Sequence, residues 1–361
     1  MADRIVLAGQ VLLEGAFVEG WVAVEGGRVA EVAEGRPPQR PLETGVILPG
    51  LVNAHTHAGD AAIPPPPEGM APEEVFPPPS GYKHRMLDRT PPDALVAGTA
   101  GFLDRMTAAG VVRHSDFREG GVAGVEQLER ARARATHPPA TAVYGRPRGL
   151  ACDAHELDAL LPRVHGLGLS AARDWPWECL VDVVAHARAA GRPVALHCSE
   201  VAREELSRVL ELGPEHLVHM VHGTPQDFRD LAAARVPVAA CPRSVARFGL
   251  RSPVVEMWRA GVEVRLGTDN AMLQGPDVLM EVAHLLRDPQ VAGEVPPMEV
   301  LGWAMGRAKG SNTVAAIGVV EGSPELALLP SDGSEPLVLL SRGAPLGARL
   351  VLGAGRIWRR S

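Results

Sequence analysis

Apolar residues follow two different patterns along the chain. Near both ends, short apolar runs are split by glycine-rich turns, which is typical of small antiparallel sheets. The runs predict strands at 4–7, 21–25 and 28–32 near one end and at 337–340, 348–352 and 356–358 near the other. We therefore expect the two ends of the chain to form one small β-sandwich domain together.

The middle of the chain has a different pattern. Apolar stretches are followed by segments rich in Ala, Leu, Glu and Arg, the alternation that parallel β/α units produce. Clear pairs are 193–197 followed by 201–212, and 262–266 followed by 276–286. We predict an α/β fold in which residues 49–324 form a (β/α)8 TIM-type barrel and residues 1–48 and 325–361 form the small β-sandwich domain.

A proline-rich segment interrupts the alternation. Residues 63–92 include the proline runs 64–67 and 77–79. Proline lacks a backbone N–H and clashes inside a helix. We expect this segment to be a long loop without regular helix or strand, lying over the mouth of the barrel.

Composition and charge narrow the function classes. The 361 residues are 46% hydrophobic and carry a formal net charge of −7. This charge shows no basic excess that would favour nucleic acid or an anionic membrane as the partner, so we expect a small-molecule substrate. Residues 1–4 lead into an apolar strand without the basic n-region of a signal peptide, and we expect a cytoplasmic protein.

Histidines and one aspartate follow four of the predicted barrel strands. His55 and His57 are one residue apart after an apolar run, so on a strand their side chains share a face. His197 ends a second apolar run, His219 lies in a third, and Asp269 follows a fourth. Barrel enzymes assemble their sites at the C-terminal ends of the strands. We expect these side chains to meet there.

Three imidazoles and one carboxylate suit zinc, and also ferrous iron, which points to hydrolysis. Such an ion lowers the pKa of bound water from 15.7 to about 7. Hydrolysis also needs a proton shuttle, and Glu200 follows His197 closely enough to act as one. The alternative is that Glu200 is a solvated acid at the start of a helix that contains Glu204 and Glu205.

These motifs resemble those of the amidohydrolase superfamily, especially its branch of cytosine, guanine and adenosine-type deaminases and triazine hydrolases. The resemblance rests on the segments 49–57, 197–200, 218–219 and 267–269. It extends over almost the whole chain, including both β-type ends. In that family the two ends form a small sandwich beside the barrel.

The resemblance implies a role for each site residue. The metal ligands would be His55, His57, His197 and Asp269. Glu200 would protonate a substrate ring nitrogen, Asp269 would also take a proton from water, and His219 would hold the hydroxide or the developing oxyanion. His222 would be structural or lie outside the ligand set. Dinuclear members need a lysine near the fourth strand, and residues 166–173 contain none, which favours one divalent metal per chain, zinc rather than iron.

Two features bear on the substrate. Ala240 and Val245 stand where the branch often has the His and Asn of a His-x-Pro-x-Ser-Asn motif, which puts the usual nucleobase contacts in doubt. Lys83, Arg118 and Arg146 lie near predicted strand ends or in the proline-rich segment, and could bind an anionic substrate. Surface salt bridges are the alternative role for these cations.

Three functions remain open from the sequence. The first is hydrolytic deamination of an aminated heterocycle, such as a nucleobase, a nucleoside or a related ring, by a metal-bound hydroxide. The second is hydrolysis of a cyclic amide or another C–N bond on the same site, and Glu200 favours deamination over it. The third is a barrel that binds a ligand without catalysis, which the intact ligand set argues against. A homo-oligomer is also expected.

Overall fold

The computed structural model contains two β-sheets with helices, and it describes residues 4–306, 318–353 and 356–360. In chain order, the strands of the described residues are β1 (Ile5–Leu13), β2 (Ala16–Glu25), β3 (Arg28–Glu34), β4 (Glu43–Pro49), β5 (Leu51–His57), β6 (Val111–Arg118), β7 (Ala140–Gly145), β8 (Gly166–Leu169), β9 (Val194–Cys198), β10 (His216–His219), β11 (Val238–Ala240), β12 (Val264–Leu266), β13 (Asp269–Asn270), β14 (Leu326–Leu329), β15 (Leu350–Gly353) and β16 (Arg356–Arg359). The α-helices are α1 (Pro72–Val75), α2 (Tyr82–Arg89), α3 (Pro92–Ala108), α4 (Gly121–Arg134), α5 (Ala154–Leu160), α6 (Trp177–Ala189), α7 (Leu206–Glu211), α8 (Pro225–Ala234), α9 (Pro242–Ala246), α10 (Val254–Arg259), α11 (Leu279–Leu286), α12 (Pro289–Glu294), α13 (Pro297–Gly302) and α14 (Pro336–Ser341).

The central sheet is a parallel barrel. Strands β5 to β12 pair in chain order, and β13 pairs in parallel with β5. Gly267 and Thr268 alone separate β12 from β13. These two short strands together form the eighth strand of the barrel, which closes the ring. A Cβ atom at Gly267 would lie 2.7 Å from Cβ of His55, so glycine permits the close approach of the eighth strand to β5. The predicted TIM-type barrel is confirmed.

Small and aromatic side chains fill the interior of the barrel. A buried cluster contains Ala54, Ala195 and Ala239 together with Phe117 and Tyr144. The Phe117 ring lies edge-on to the His55 ring, with 4.5 Å between ring centroids. The apolar interior therefore forms the floor beneath the predicted ligand residues. None of the described helices is long and apolar enough to cross a membrane.

The second sheet combines both ends of the chain, as predicted. Its strand order is β16-β15-β14-β4-β1-β2-β3, and β1 and β4 are its parallel pair. The backbone of Val29 in edge strand β3 exchanges hydrogen bonds with Gly322 and Ser323, just before β14. The sheet therefore curls on itself around a buried apolar cluster that includes Leu7, Val22 and Leu350. The boundaries at 48/49 and 324/325 stay a prediction.

One predicted strand of this domain is wrong. Residues 337–340 lie in helix α14 instead. Pro336 occupies the first turn, where its missing N–H costs nothing, and Leu339 and Leu340 are buried with it on one helical face. The strand that completes the sheet is β14, in which all four residues are buried, so its sequence shows no polar alternation.

The proline-rich segment contains two short helices, α1 and α2, so the expectation of a segment without helix is also wrong. Pro72 is at the first position of α1, where proline is tolerated. Ile63 and Val75 are buried in a cluster with Leu95 and Met272, which packs the segment against the barrel. This folded segment is called the cover below.

Candidate active site

Four histidines and an aspartate converge at the C-terminal ends of the barrel strands. His55 and His57 come from β5, His197 from β9, His219 from β10 and Asp269 from β13, and all five are buried. Nε2 of His57 lies 3.2 Å from Nε2 of His197. Oδ1 of Asp269 lies 3.4 Å from Nε2 of His55 and 3.7 Å from Nε2 of His57. The structure thus brings the predicted ligand atoms together.

The donor atoms of this cluster fit a divalent metal. Those of His55, His57 and His197 lie within 4.8 Å of one another, as do those of His55, His219 and Asp269. Nε2 of His55 and Nε2 of His219 are buried without a hydrogen-bond partner. Leaving a buried polar nitrogen unpaired costs free energy, so a cation among these nitrogens would satisfy them. The mixed nitrogen and oxygen set suits a zinc-type ion.

Burial sets the protonation states that metal binding requires. Desolvation lowers the pKa of His55 to about 3 and holds the pKa of His197 well below its usual range. Burial alone would raise the pKa of Asp269, but its contact with His55 and the charge of His219 hold that pKa well below its usual range. Neutral imidazoles and an ionised carboxylate are the ligand forms that bind a metal.

The second ring nitrogen orients two of the imidazoles. Nδ1 of His197 donates a hydrogen bond to the carbonyl of Leu169 at 2.9 Å. Nδ1 of His57 lies 2.7 Å from Oε1 of Glu119 and 3.1 Å from the carbonyl oxygen of Phe117. These contacts place the proton on Nδ1 and leave Nε2 of each ring free to bind a metal.

Backbone strain is concentrated at the same strand ends. Ser199, His219, Met220 and Asp269 have φ angles of 49°, 75°, 56° and 61°, respectively. This left-handed region costs a residue other than glycine about 1–3 kcal/mol and persists where the surrounding structure enforces it. The fold therefore holds His219 and Asp269 in strained positions that direct their side chains into the cluster.

Asp269 has two further partners, which sequence reasoning missed. The hydroxyl of Ser244 donates to Oδ2 at 2.5 Å, and Nδ2 of Asn270 donates to Oδ1 at 2.8 Å. Ser244 is the serine of the incomplete His-x-Pro-x-Ser-Asn motif, and its retention was the available signal. Ala240 and Val245, at the two departures from that motif, are buried.

Glu200 lies beside the histidine cluster. Its Oε1 is 3.4 Å from Nε2 of His219. Burial raises the pKa of Glu200, which favours the protonated form that a general acid needs. Helix α7 begins at Leu206, not at 201 as expected, so Glu200 lies outside the helix and is not an acid of its first turn.

A cavity of about 310 Å³ opens above this cluster. Its lining combines residues of the cover with residues from the barrel strand ends: His57, Glu73, Phe76, Pro77, Pro78, Lys83, Arg146, Ser170, Ala171, Arg173, Asp174, His197, Glu200, Val201, Glu204, Asp269 and Asn270. A volume of this size suits a small organic molecule. Among the described residues, His222 does not line this cavity. The backbone N–H of His222 donates to the carbonyl of Ser199.

The three cations proposed for substrate binding occupy different environments. Lys83 and Arg146 line the cavity and approach Glu119, with Nζ of Lys83 at 2.6 Å and NH1 of Arg146 at 3.7 Å from Oε1. Arg118 instead donates two hydrogen bonds to Asp116, at 2.7 and 3.0 Å, and lines a neighbouring pocket. Burial would raise the pKa of Glu119, but Lys83 and His57 hold it well below its usual range.

Comparison with known proteins supports this picture. Residues 46–304 match the model of the amidohydrolase family. A protein of Methanothermobacter thermautotrophicus named as an aminohydrolase is 28% identical over 346 residues, which cover 87% of this chain and 88% of that protein. A 5-methylthioadenosine/S-adenosylhomocysteine deaminase of Pelotomaculum thermopropionicum is 26% identical over 320 residues, covering 75% and 70% of the two chains, respectively.

The fold also resembles solved structures. The crystal structure of atrazine chlorohydrolase from Arthrobacter aurescens TC1, complexed with zinc, superposes with a TM-score of 0.73 at 16% sequence identity. The match covers 98% of this chain and 94% of that one. The likeness therefore extends over both the barrel and the small β-domain.

Proposed function

The chain belongs to the amidohydrolase family, and from that premise we propose that it is a metal-dependent hydrolase that deaminates an aminated heterocycle. The observation that carries the proposal is the position of Glu200. Its carboxyl oxygen and the ring nitrogens of His197 and His219 lie within 4.8 Å of one another. Glu200, whose pKa is raised by burial, thus lies directly beside the proposed metal ligands.

A divalent metal would be held by His55, His57, His197 and Asp269, where it would supply the Lewis acidity that lowers the pKa of water. Zinc is proposed over iron, at one ion per chain. Because Ser244 donates to Oδ2 of Asp269, that carboxylate is held with Oδ1 toward the histidines. The ligand set supports a single site at the centre of the strand ends.

The protein groups have distinct proton-transfer roles. Glu200 protonates a ring nitrogen of the substrate, which makes the neighbouring ring carbon more electrophilic. Asp269 accepts the proton of the attacking water and returns it to the amino group, while His219 donates a hydrogen bond to the developing oxyanion. The bond from the ring carbon to the amino group breaks and ammonia leaves. The hydroxyl group on the ring carbon then returns its proton to Glu200 as the carbonyl forms.

The substrate class is proposed from the cavity and from the relatives. The Pelotomaculum relative is named for deamination of adenosine derivatives, which supports a purine or a related aminated ring here. Lys83 and Arg146 line the cavity and could pair with an anionic group of the substrate, since each has donors beyond its contact with Glu119. Arg118 is the weakest of the three proposed contacts, because Asp116 engages it and it lines a different pocket. A cytoplasmic location and a homo-oligomer stay predictions.

Ammonia release from a panel of purines, pyrimidines, pterins and their nucleosides tests the proposal. We expect at least one substrate for the zinc-loaded protein, and a Glu200→Gln variant with kcat lower by about 10²–10⁴-fold and unchanged zinc content. Ring opening of cyclic amides without ammonia release would favour the second hydrolytic function. A zinc-loaded protein that binds a ring compound but converts none would favour a ligand-binding barrel.

A further inference from the structure

The surroundings of Glu119 connect the cover to a proposed metal ligand. Glu119 directly follows β6 and is 9% exposed. Its Oε1 atom lies 2.7 Å from Nδ1 of His57 and 2.6 Å from Nζ of Lys83, a buried residue of helix α2 in the cover. One carboxylate oxygen thus contacts both an imidazole of the ligand cluster and a cation of the cover.

We infer that Glu119 is a positioning residue for His57: its carboxylate accepts the Nδ1–H of the imidazole and thereby directs Nε2 toward the metal. Lys83 and Arg146 hold that carboxylate in place. The inference rests on the proposed metal site, and it adds a residue that the proposed reaction does not itself use.

The contact to Glu119 differs from the one that orients His197. Nδ1 of His197 donates to a neutral backbone carbonyl. A hydrogen bond to a carboxylate is stronger and makes the imidazole a more basic ligand. The orientation of His57 can therefore be tested by mutating Glu119. The orientation of His197 cannot be tested in this way, because its acceptor is a backbone carbonyl.

A competing acceptor defines the alternative. The carbonyl oxygen of Phe117 lies 3.1 Å from the same Nδ1 atom of His57, and this contact has hydrogen-bond geometry. The contact of Oε1 of Glu119 with that nitrogen is shorter, at 2.7 Å, but lies outside ideal hydrogen-bond geometry. If this carbonyl alone oriented the ring, Glu119 would serve only to neutralise Lys83. The shorter contact and the negative charge favour Glu119 as the acceptor.

Lys83 is a buried cation that contacts two carboxylates. It is 3% exposed, and its Nζ lies 3.7 Å from Oδ2 of Asp60 in addition to its contact with Glu119. Removing Glu119 alone would leave a buried cation without its nearest partner, which destabilises a fold whatever the role of the carboxylate. A test must therefore include a variant that removes the two charges together.

The experiment measures the dissociation constant for zinc by competition with a chromogenic chelator. Glu119→Gln keeps the side-chain volume and a neutral acceptor, whereas the double variant Glu119→Ala/Lys83→Met removes the acceptor without stranding the cation. We expect zinc to bind roughly 10–100-fold more weakly to the double variant, and Glu119→Gln to show a smaller loss. Circular dichroism confirms that each variant is folded.

Two further readouts separate positioning from general structure. The visible spectrum of the cobalt-substituted protein should change in the Glu119 variants, because it reports the ligand geometry. Lys83→Met alone should change the cobalt spectrum less than the Glu119 variants do, because the carboxylate is still present and Arg146 still lies 3.7 Å from its Oε1. The matched control is Asp174→Asn: this carboxylate lines the same cavity but hydrogen-bonds Ser170, and the variant should bind zinc as the wild type does.

The outcomes distinguish this inference from the proposed function. Wild-type zinc affinity and an unchanged cobalt spectrum in both Glu119 variants would overturn the inference and assign the orientation of His57 to the Phe117 carbonyl. The wild-type protein would still bind zinc in that case, so the proposed function would stand. A wild-type protein that binds neither zinc nor cobalt would overturn both.

Discussion

The floor of the site and its cover are built in opposite ways. The floor includes the barrel strands together with the packed apolar interior between them. The histidines and Asp269 lie at or near the C-terminal ends of these short parallel strands. The cover is proline-rich, contains only short helices among its described residues, and packs through one small apolar cluster. Strained backbone is found at His219 and Asp269 in the floor. The floor therefore holds chemical groups in exact positions, whereas the cover shapes the space above them.

Mutations in the floor and in the cover should therefore have different effects on the enzyme. Changes in the floor should affect metal binding and the chemical step, which depend on sub-ångström geometry. Changes in the cover should mainly affect substrate binding, because the cover supplies walls of the cavity and none of the proposed metal ligands. Lys83 is the exception, since the cover places it against Glu119 beside the floor.

The largest effect is expected from His55→Ala. The variant removes a fully buried proposed ligand whose Nε2 makes no hydrogen bond within the protein, so the zinc affinity should collapse and ammonia release should fall by roughly 10³-fold or more. Zinc titration and an ammonia assay measure the two losses. The exposed His155 provides a control, because His155→Ala should leave both quantities unchanged. Equal activity in the two variants would remove His55 from the site.

A smaller effect is expected from Ser244→Ala. Its hydroxyl is buried and donates to Oδ2 of Asp269, so its loss frees one carboxylate oxygen to rotate. We expect kcat to fall by about 10–100-fold while one equivalent of zinc still binds. Steady-state kinetics on the zinc-loaded variant provide the test, with exposed Ser207→Ala as the matched control. An unchanged kcat would show that the Ser244 hydroxyl is dispensable.

The smallest effect on chemistry is expected in the cover. Val75 is fully buried with Ile63 and Leu95, and Val75→Ala removes about 2 kcal/mol of packing from this cluster. We expect KM to rise severalfold, kcat and zinc affinity to stay near the wild-type values, and proteolysis within residues 63–92 to become faster. A loss of zinc affinity comparable to that of a floor variant would contradict the separation of floor and cover.

The sequence predicted the floor better than the cover for a physical reason. His55 and His57 alternate on a strand, and strand ends meet at one edge of a barrel, so local patterns were enough to bring these residues together. The cover was predicted as irregular because proline content was read without considering that proline suits the first turn of a helix. The strand expected at 337–340 failed similarly, since a short apolar run fits either a strand or a buried helix face.

The side chains that contact the proposed metal ligands could not be predicted from the sequence. Glu119 contacts His57, and Ser244 contacts Asp269, although each pair is far apart in the chain. Their contacts depend on the lateral order of the strands and on the path of each loop, which no periodicity reports. Lys83 was proposed as a substrate contact from its charge and its place in the proline-rich segment, and the sequence offered no sign that its ammonium group also contacts Glu119.

Zinc titration of chelator-treated protein tests the central claim most directly. Ammonia release from an accepted substrate should be absent from the metal-free protein and rise linearly with added zinc, reaching a plateau at about one equivalent per chain. Ammonia release that persists in the metal-free protein would contradict the assignment of the histidine and Asp269 cluster as the catalytic metal site.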